Sequence, residues 1–203
     1  KFCQDGCSGK RRPVKDNSIM LYIALLHYPV YNKDGKIVAT AVANMDIHDI
    51  ARLSKTYGVR NFFVVNPSAA QRALASEIVN HWLCGYGAVF NPARRAAFEL
   101  VRIQANLDEV SAEIVMQTGL VPQTIVTGAN FQGSLLTCPE LKKMIRKDDN
   151  LPYLLIFGTG SGIAEEIIQK ADYRLEPIKG TADYNHLAVR SAVAVIVDRI
   201  TRE

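Results

Sequence analysis

Two stretches of the sequence carry residue types whose spacing suits chemistry. The first is Leu154-Leu-Ile-Phe-Gly-Thr-Gly-Ser-Gly162, a glycine-rich turn behind an apolar run and ahead of Ile163-Ala-Glu-Glu-Ile-Ile168. Glycine lets the backbone approach a ligand closely and adopt positive φ. Free N–H groups at a helix start can bind a phosphate, a carboxylate or an adenine edge. The simplest match is a Rossmann-type nucleotide loop, as in a nucleotide-dependent oxidoreductase. Two features oppose that match. Only about forty residues follow the turn, whereas a dinucleotide fold places it on the first strand, and the spacing is G-x-G-x-G rather than G-x-G-x-x-G. From the turn alone, an ordinary strand-to-helix connection is an equal reading.

The second stretch, Asp46-Ile-His-Asp-Ile-Ala-Arg52, gathers carboxylates and an imidazole near a helix start. His48, with an ordinary pKa of about 6.5, suits a general base; a structural histidine is the competing reading. No second histidine stands at metal-ligand spacing, so no metal site is expected.

These residues need elements to position them. Ile19 to Leu26 is a continuous apolar run, as in a strand buried on both faces. Tyr28 to Val42, with Asn32, Asp34 and Gly35, reads as a loop or hairpin. Asp46 to Tyr57 reads as a helix with Asp46 as N-cap, Asp49 completing a weak capping box and Gly58 ending it. Asn61 to Asn66 is a strand, and Ser68 to Leu83 a helix behind Pro67. A strand is expected near Ala88 to Asn91, then a short helix and a strand between Pro92 and Ile103. Leu107 to Thr118 is helical and stopped by Gly119; Gln123 to Thr127 is a strand; Cys138 to Lys147 is a helix with a basic face. Tyr153 to Phe157 is the strand before the glycines, Gly162 to Lys170 a short helix, Tyr173 to Glu176 a short strand, and Asn185 to Thr201 a final helix with a buried Leu187, Val189, Val193, Ile196, Val197 and Ile200 stripe. Strands alternating with helices imply an α/β fold with a parallel sheet covered on both faces.

The segment after the glycine turn carries a resemblance. Tyr173-Arg-Leu-Glu-Pro-Ile-Lys-Gly180 leads through Thr181 and Tyr184 into Asn185-His-Leu-Ala-Val-Arg-Ser-Ala192. A glycine turn, a short strand ending in Pro-Ile and an Asn opening a small-residue helix resemble the C-terminal signature of the SPOUT RNA methyltransferases. Upstream, the family's 2′-O-methylating members carry an Asn, then a catalytic Arg six residues later, in a helix that ends Gly-Val. Here Arg52 stands six residues after Asp46, and Gly58-Val59 follows. The resemblance spans about residues 19 to 202. It is most similar to a bacterial branch with Tyr22-Ile-Ala-Leu-Leu-His-Tyr-Pro29, Asp49-Ile-Ala-Arg52, Gly158-Thr-Gly160, Leu175-Glu-Pro-Ile178 and Asn185-His-Leu187, whose members also occur fused behind a tRNA guanine-N1-methyltransferase.

The resemblance implies a parallel-sheet SPOUT fold with a deep C-terminal trefoil knot, a homodimer, and S-adenosyl-L-methionine (SAM) as cofactor. It implies that SAM is held by loops containing Phe157, Gly158, Thr159, Gly160 and Gly162, then Leu175, Pro177 and Ile178, then Tyr184, Asn185, His186 and Leu187, with Pro177 and Ile178 packing on the adenine. Arg52 becomes the leading catalytic residue, orienting a ribose hydroxyl or phosphate and stabilising developing charge. Asn185, Asp46 and His48 join it as catalytic candidates. Asp46 replaces the family's Asn, and Thr159-Gly160-Ser161 replaces the usual Glu-bearing turn, so ribose and base nitrogen both stay open as acceptors. The expected activity is methylation of RNA, tRNA before rRNA. The alternative is a non-catalytic SAM- or RNA-binding module assisting a fused or neighbouring tRNA methyltransferase.

Composition bounds these expectations. The chain has 203 residues, 48% hydrophobic and 22% charged, with a net charge of +4. That suits one domain with a real core and excludes wholesale disorder. No apolar run approaches the ~18 residues of a membrane span, and no secretory leader is evident. Residues 1 to 17 read as a basic lead-in or linker, and residues 18 to 203 as the domain. Cys3, Cys7, Cys84 and Cys138 read as unpaired thiols of a cytoplasmic protein. Phosphate contacts are expected from Arg94 and Arg95, from Lys142, Lys143, Arg146 and Lys147, and from Lys10, Arg11 and Arg12.

Overall fold

The apolar run near the start forms β1 (Leu21–Leu26), the strand around which the fold is built. Leu21, Ile23 and Leu25 enter one core, while Tyr22, Ala24 and Leu26 enter the other. A strand covered on both sides needs apolar residues without alternation, and this one has them. The computed structural model describes residues 19–148, 150–181 and 184–202. The basic lead-in, with Cys3, Cys7, Lys10, Arg11 and Arg12, lies outside the described residues.

β1 pairs in parallel with β4 (Asn61–Val65) on one side and β7 (Tyr153–Gly158) on the other. β5 (Val101–Gln104) continues the sheet beyond β4, and β6 (Gln123–Val126) and β8 (Tyr173–Arg174) continue it beyond β7. The six-stranded order is β5-β4-β1-β7-β6-β8, parallel at every step. Between β1 and β7 the connections change direction. Such a switch point opens a crevice at the carboxyl ends of the strands.

Helices α1 (Asn44–Thr56), α2 (Ala69–Leu83), α4 (Pro92–Phe98), α6 (Cys138–Lys147) and α8 (Val189–Thr201) bury apolar residues against one face. Helices α5 (Leu107–Thr118) and α7 (Glu165–Lys170) cover the other. Local side-chain and backbone chemistry sets two helix ends. Thr137 and Glu140 form a reciprocal capping box at the start of α6, and Gly119 takes the left-handed conformation after α5. The expected hairpin is present as β2 (Val30–Tyr31) and β3 (Ile37–Val38), with Asn32 Oδ1 accepting the N–H groups of Asp34 and Lys36, both at 2.9 Å. No helix among the described residues is long and apolar enough to cross a membrane.

Four expectations fail. The strand near Ala88 to Asn91 is instead helix α3 (Tyr86–Phe90). The carbonyls of Gly85 and Gly87 accept from Ala88 and Asn91, and Asn91 then caps α4 by accepting from Arg94 N–H. Asp46 is not the N-cap of α1, which begins at Asn44 behind an extended Ala43; the Asp46 carboxylate bonds elsewhere. The short helix begins at Glu165 rather than Gly162, because Gly162 has φ 128° and Ala164 is extended. The final helix begins at Val189 rather than Asn185, whose side-chain amide instead donates to the Ala129 carbonyl at 3.0 Å.

Candidate cofactor cleft

A cleft of about 900 Å³ opens at the carboxyl ends of β7 and β6. Its floor is Phe157 to Ile163, the end of β7 and the glycine turn. One wall is Thr127 to Phe131 after β6, and the other is Ile178 with Asn185 to Arg190; Tyr31, Lys33 and Asp46 close the rim. The turn is held by backbone. Tyr31 N–H donates to Gly162 O at 2.8 Å, Ser161 N–H to Tyr31 O at 2.7 Å, and Thr159 N–H to Leu26 O at 3.2 Å. Gly160 sits at φ 63°, and a Cβ there would lie 2.6 Å from Tyr31 O. A Cβ on Gly158 would run into the Ile163 side chain. Glycine is therefore needed at both places for close approach.

Of the residues expected to hold a cofactor, Phe157, Gly158, Thr159, Gly160, Gly162, Ile178, Asn185, His186 and Leu187 line the cleft. Leu175 does not; it is buried in the core, where its N–H extends the ladder to Val126 O. Pro177 is not on the wall either. Tyr184 is exposed, with its ring at the edge of His186, 5.4 Å away.

The catalytic candidates divide. Asp46 reaches the rim and Asn185 the wall, whereas His48 and Arg52 stay outside. Trp82 Nε1–H donates to His48 Nε2 at 3.1 Å, and the Arg94 guanidinium lies 2.7 Å from Nδ1. Phe98 packs against the same ring at 4.8 Å. Burial, then Arg94, lower the pKa of His48. The imidazole thus joins helices α1, α2 and α4 and does not face the cleft. Arg52 is exposed. Six residues of helix carry it about 9 Å along the axis from Asp46 and about 120° around it.

The electrostatics of the rim centre on Arg190. Its Nη1 meets Asp46 Oδ1 at 3.2 Å and its Nε meets Asp49 Oδ2 at 3.5 Å. One guanidinium therefore ties the first turn of α8 to the first two turns of α1 across the cleft mouth.

Behind the turn lies a hydrogen-bond chain. Thr159 Oγ1–H donates to Leu26 O at 3.1 Å, its Oγ1 shares a hydrogen bond with the Thr40 hydroxyl, and Thr40 Oγ1 lies 2.9 Å from His27 Nδ1. The imidazole is wholly buried, and its Nε2 has no hydrogen-bond partner among the described residues. Burial pushes the pKa of His27 down to about 4 despite the opposing pull of Asp46. In the unfolded chain the value is about 6.5. Between those values the unfolded state binds the extra proton, so stability is lost as pH falls from about 6.5 to about 4. The shift corresponds to about 3 kcal/mol when complete. The expected result is that His27→Asn, which keeps a hydrogen-bonding side chain beside Thr40 and removes the titration, flattens the stability profile over that window. Urea titrations at pH 7, 6, 5 and 4.5 check it.

Several residues of this site gave weak signals in sequence. His27 directly follows the longest apolar run, where a strand delivers its end to a ligand crevice. Arg190 is the one charge in the small-residue stretch from Ala188 to Val197. Tyr31, Lys33 and Thr127 to Phe131 had no local pattern to find; only the sheet order brings them together.

A parallel sheet with a glycine-floored cleft at the carboxyl ends of its strands is the architecture of a nucleotide-like cofactor site. Comparison with known proteins makes this specific. Residues 20–202 match the SAM-dependent RNA methyltransferase family. An uncharacterized protein of Aquifex aeolicus is 42% identical over 180 residues, covering 89% of this chain and 87% of its own length. A tRNA (guanine-N(1)-)-methyltransferase of Oleidesulfovibrio alaskensis is 41% identical over 180 residues, covering 89% of this chain and 41% of its own length. This chain therefore spans less than half of that relative. The SpoU methyltransferase AviRb from Streptomyces viridochromogenes shares the fold, with a TM-score of 0.55 at 15% identity over 94% of this chain and 61% of that one. The chain belongs to the SAM-dependent RNA methyltransferase family, and its α/β sheet is that of the SPOUT methyltransferases.

Proposed function

We propose that SAM occupies this cleft and that the protein methylates RNA, tRNA ahead of rRNA as the substrate, as a homodimer in the cytoplasm. The observation that carries the reading is the cleft itself, where apolar Phe157, Ile178 and Leu187, close-approach glycines and opposite charges surround one cavity. SAM presents an adenine, a sulfonium cation and an amino-acid end. The apolar residues suit the adenine, Asp46 suits positive charge, and Lys33 and Arg190 suit a carboxylate. When bound, SAM supplies an electrophilic methyl group. The chain's own part is to exclude water, to fix the turn through the Thr40–Thr159 contact, and to hold an acceptor in line. The name of the Oleidesulfovibrio relative supports tRNA, and the free thiols Cys84 and Cys138 suit a reducing compartment.

Residues 18–203 form the methyltransferase domain, behind the basic segment 1–17; the family match over residues 20–202 supports that boundary. A C-terminal trefoil knot suits the contacts between two loops distant in sequence. Leu136 bridges Leu175, Glu176 N–H donates to Leu136 O at 2.9 Å, and Asn185 bonds Ala129. The homodimer gives Arg52 its role. Arg52 is exposed on α1 outside its own cleft, and in the proposed dimer it would serve the cleft of the second copy, orienting the acceptor and stabilising negative charge that develops there.

Methyl-labelled SAM incubated with bulk tRNA from cells lacking the protein tests the proposal. Label in tRNA is expected; SAM binding with no label in tRNA or rRNA overturns it. Arg52→Ala should cut kcat about 100-fold, on the scale of losing one charge-stabilising donor, and leave SAM affinity unchanged.

A further inference from the structure

Helix α3 places three large apolar side chains in water. Tyr86, Val89 and Phe90 are 76%, 82% and 70% exposed, although the core lies directly beneath at Gly87 and Ala88. The rings of Tyr86 and Phe90, one helical turn apart, stack at 5.8 Å and 24°. The backbone beneath is fixed. A Cβ on Gly87 would lie 2.7 Å from the Trp82 ring and 2.9 Å from His81 Nε2, so α3 is pressed onto the end of α2 and its aromatics point outward. The stretch that carries them is locally cationic. Between Glu77 and Glu99 the sequence holds no carboxylate, while His81, Arg94 and Arg95 lie within that stretch. Arg94 sits over Trp82 at 5.0 Å, and Arg95 is exposed, with a long 3.8 Å contact to Glu99.

We infer that Tyr86 and Phe90 form a stacking platform for unpaired bases of the RNA substrate, with Arg95 beside it for the phosphates; the inference rests on RNA being the substrate. Aromatic faces receive any base, and a cationic flank follows the backbone, which together is how proteins hold single-stranded or looped RNA. Charge argues against a second copy as the occupant. A two-fold contact through this patch would bring Arg94 and Arg95 toward their own equivalents, with the long Arg95–Glu99 contact as the local offset. The platform also connects to the proposed chemistry, because Arg94 contacts His48 on the helix that carries Arg52.

The test uses the full chain, bulk tRNA and a fluorescent, unstructured oligoribonucleotide. Tyr86→Ala and Phe90→Ala should each weaken binding of the oligoribonucleotide roughly 5- to 150-fold, the range for loss of one stacked base. Tyr86→Phe should bind as the unsubstituted protein does, and SAM affinity should not change in any of the three. Arg95→Ala should reduce the slope of log affinity against log salt by about one. RNA affinity unchanged by both alanine variants overturns the platform. So does a dimer that falls to monomers in light scattering when Tyr86 or Phe90 is replaced, which would make the patch a subunit contact. If the unsubstituted protein binds SAM but no RNA, the platform and the RNA substrate fall together; if it methylates RNA while both alanine variants bind normally, only the platform falls.

Discussion

Gly160→Ala is expected to lower SAM affinity at least tenfold and to reduce Tm by roughly 5–15 °C, while Gly119→Ala reduces Tm by only a few degrees and leaves SAM binding intact. Both glycines have positive φ, 63° and 76°. Both alanines therefore suffer the left-handed penalty of about 1–2 kcal/mol. Gly119 has nothing within 4 Å of the added methyl, whereas at Gly160 the methyl would lie 2.6 Å from the Tyr31 carbonyl oxygen. That oxygen cannot simply move aside, because it accepts from Ser161 N–H at 2.7 Å while Tyr31 N–H donates to Gly162 O at 2.8 Å. Relieving the contact separates the β2–β3 hairpin from the glycine turn and shifts Thr159 and Tyr31, which both line the cleft. Calorimetric titration with SAM and thermal unfolding of both variants separate backbone strain, common to the two, from loss of the cleft, confined to Gly160→Ala. Equal effects of the two substitutions on SAM affinity would show that the turn does not shape the site.

Arg190→Met is expected to destabilise the protein by about 1–3 kcal/mol and to weaken SAM binding. Its guanidinium holds Asp46, whose side chain is only 12% exposed, and also reaches Asp49. Removing one partner of a buried ion pair costs about 3–5 kcal/mol because a desolvated charge is left behind. The Arg190 side chain is 36% exposed, so solvent screens part of that cost and the lower figure applies. Methionine preserves much of the apolar stem, which limits the change to the charge. Asp46→Ala combined with Arg190→Met should be less destabilising than the two single effects added, since no orphaned carboxylate then remains at position 46. Urea unfolding of the two singles and the double checks the pair. Strict additivity would mean that α1 and α8 are not joined through it.

Much of the scaffold was legible in sequence because its signals are local. The unbroken apolar run of β1 and the stop at Gly119 each act within a few residues. The glycine turn was legible for the same reason, and it is the floor of the cleft. Other features depend on contacts distant in sequence. Val89 and Phe90 look like strand residues locally, yet α3 forms because Gly87 lets it lie against Trp82 and because Asn91 begins α4. Asp46 has the type and position of an N-cap, but Arg190, 144 residues later, takes its carboxylate. Asn185 likewise gives its amide to Ala129, and the final helix waits until Val189. His48 has the chemistry of a base, and only the packing of α1, α2 and α4 reveals that both its nitrogens are already engaged.

The most direct measurement of where the cofactor sits is photo-crosslinking of methyl-labelled SAM to the intact protein, followed by peptide mapping, with excess unlabelled SAM as competitor. Competable label on the peptides that contain Phe157 to Ile163 and Asn185 to Arg190 is the expected result. Competable label confined to residues 69–98, or anywhere else outside the cleft, would contradict it.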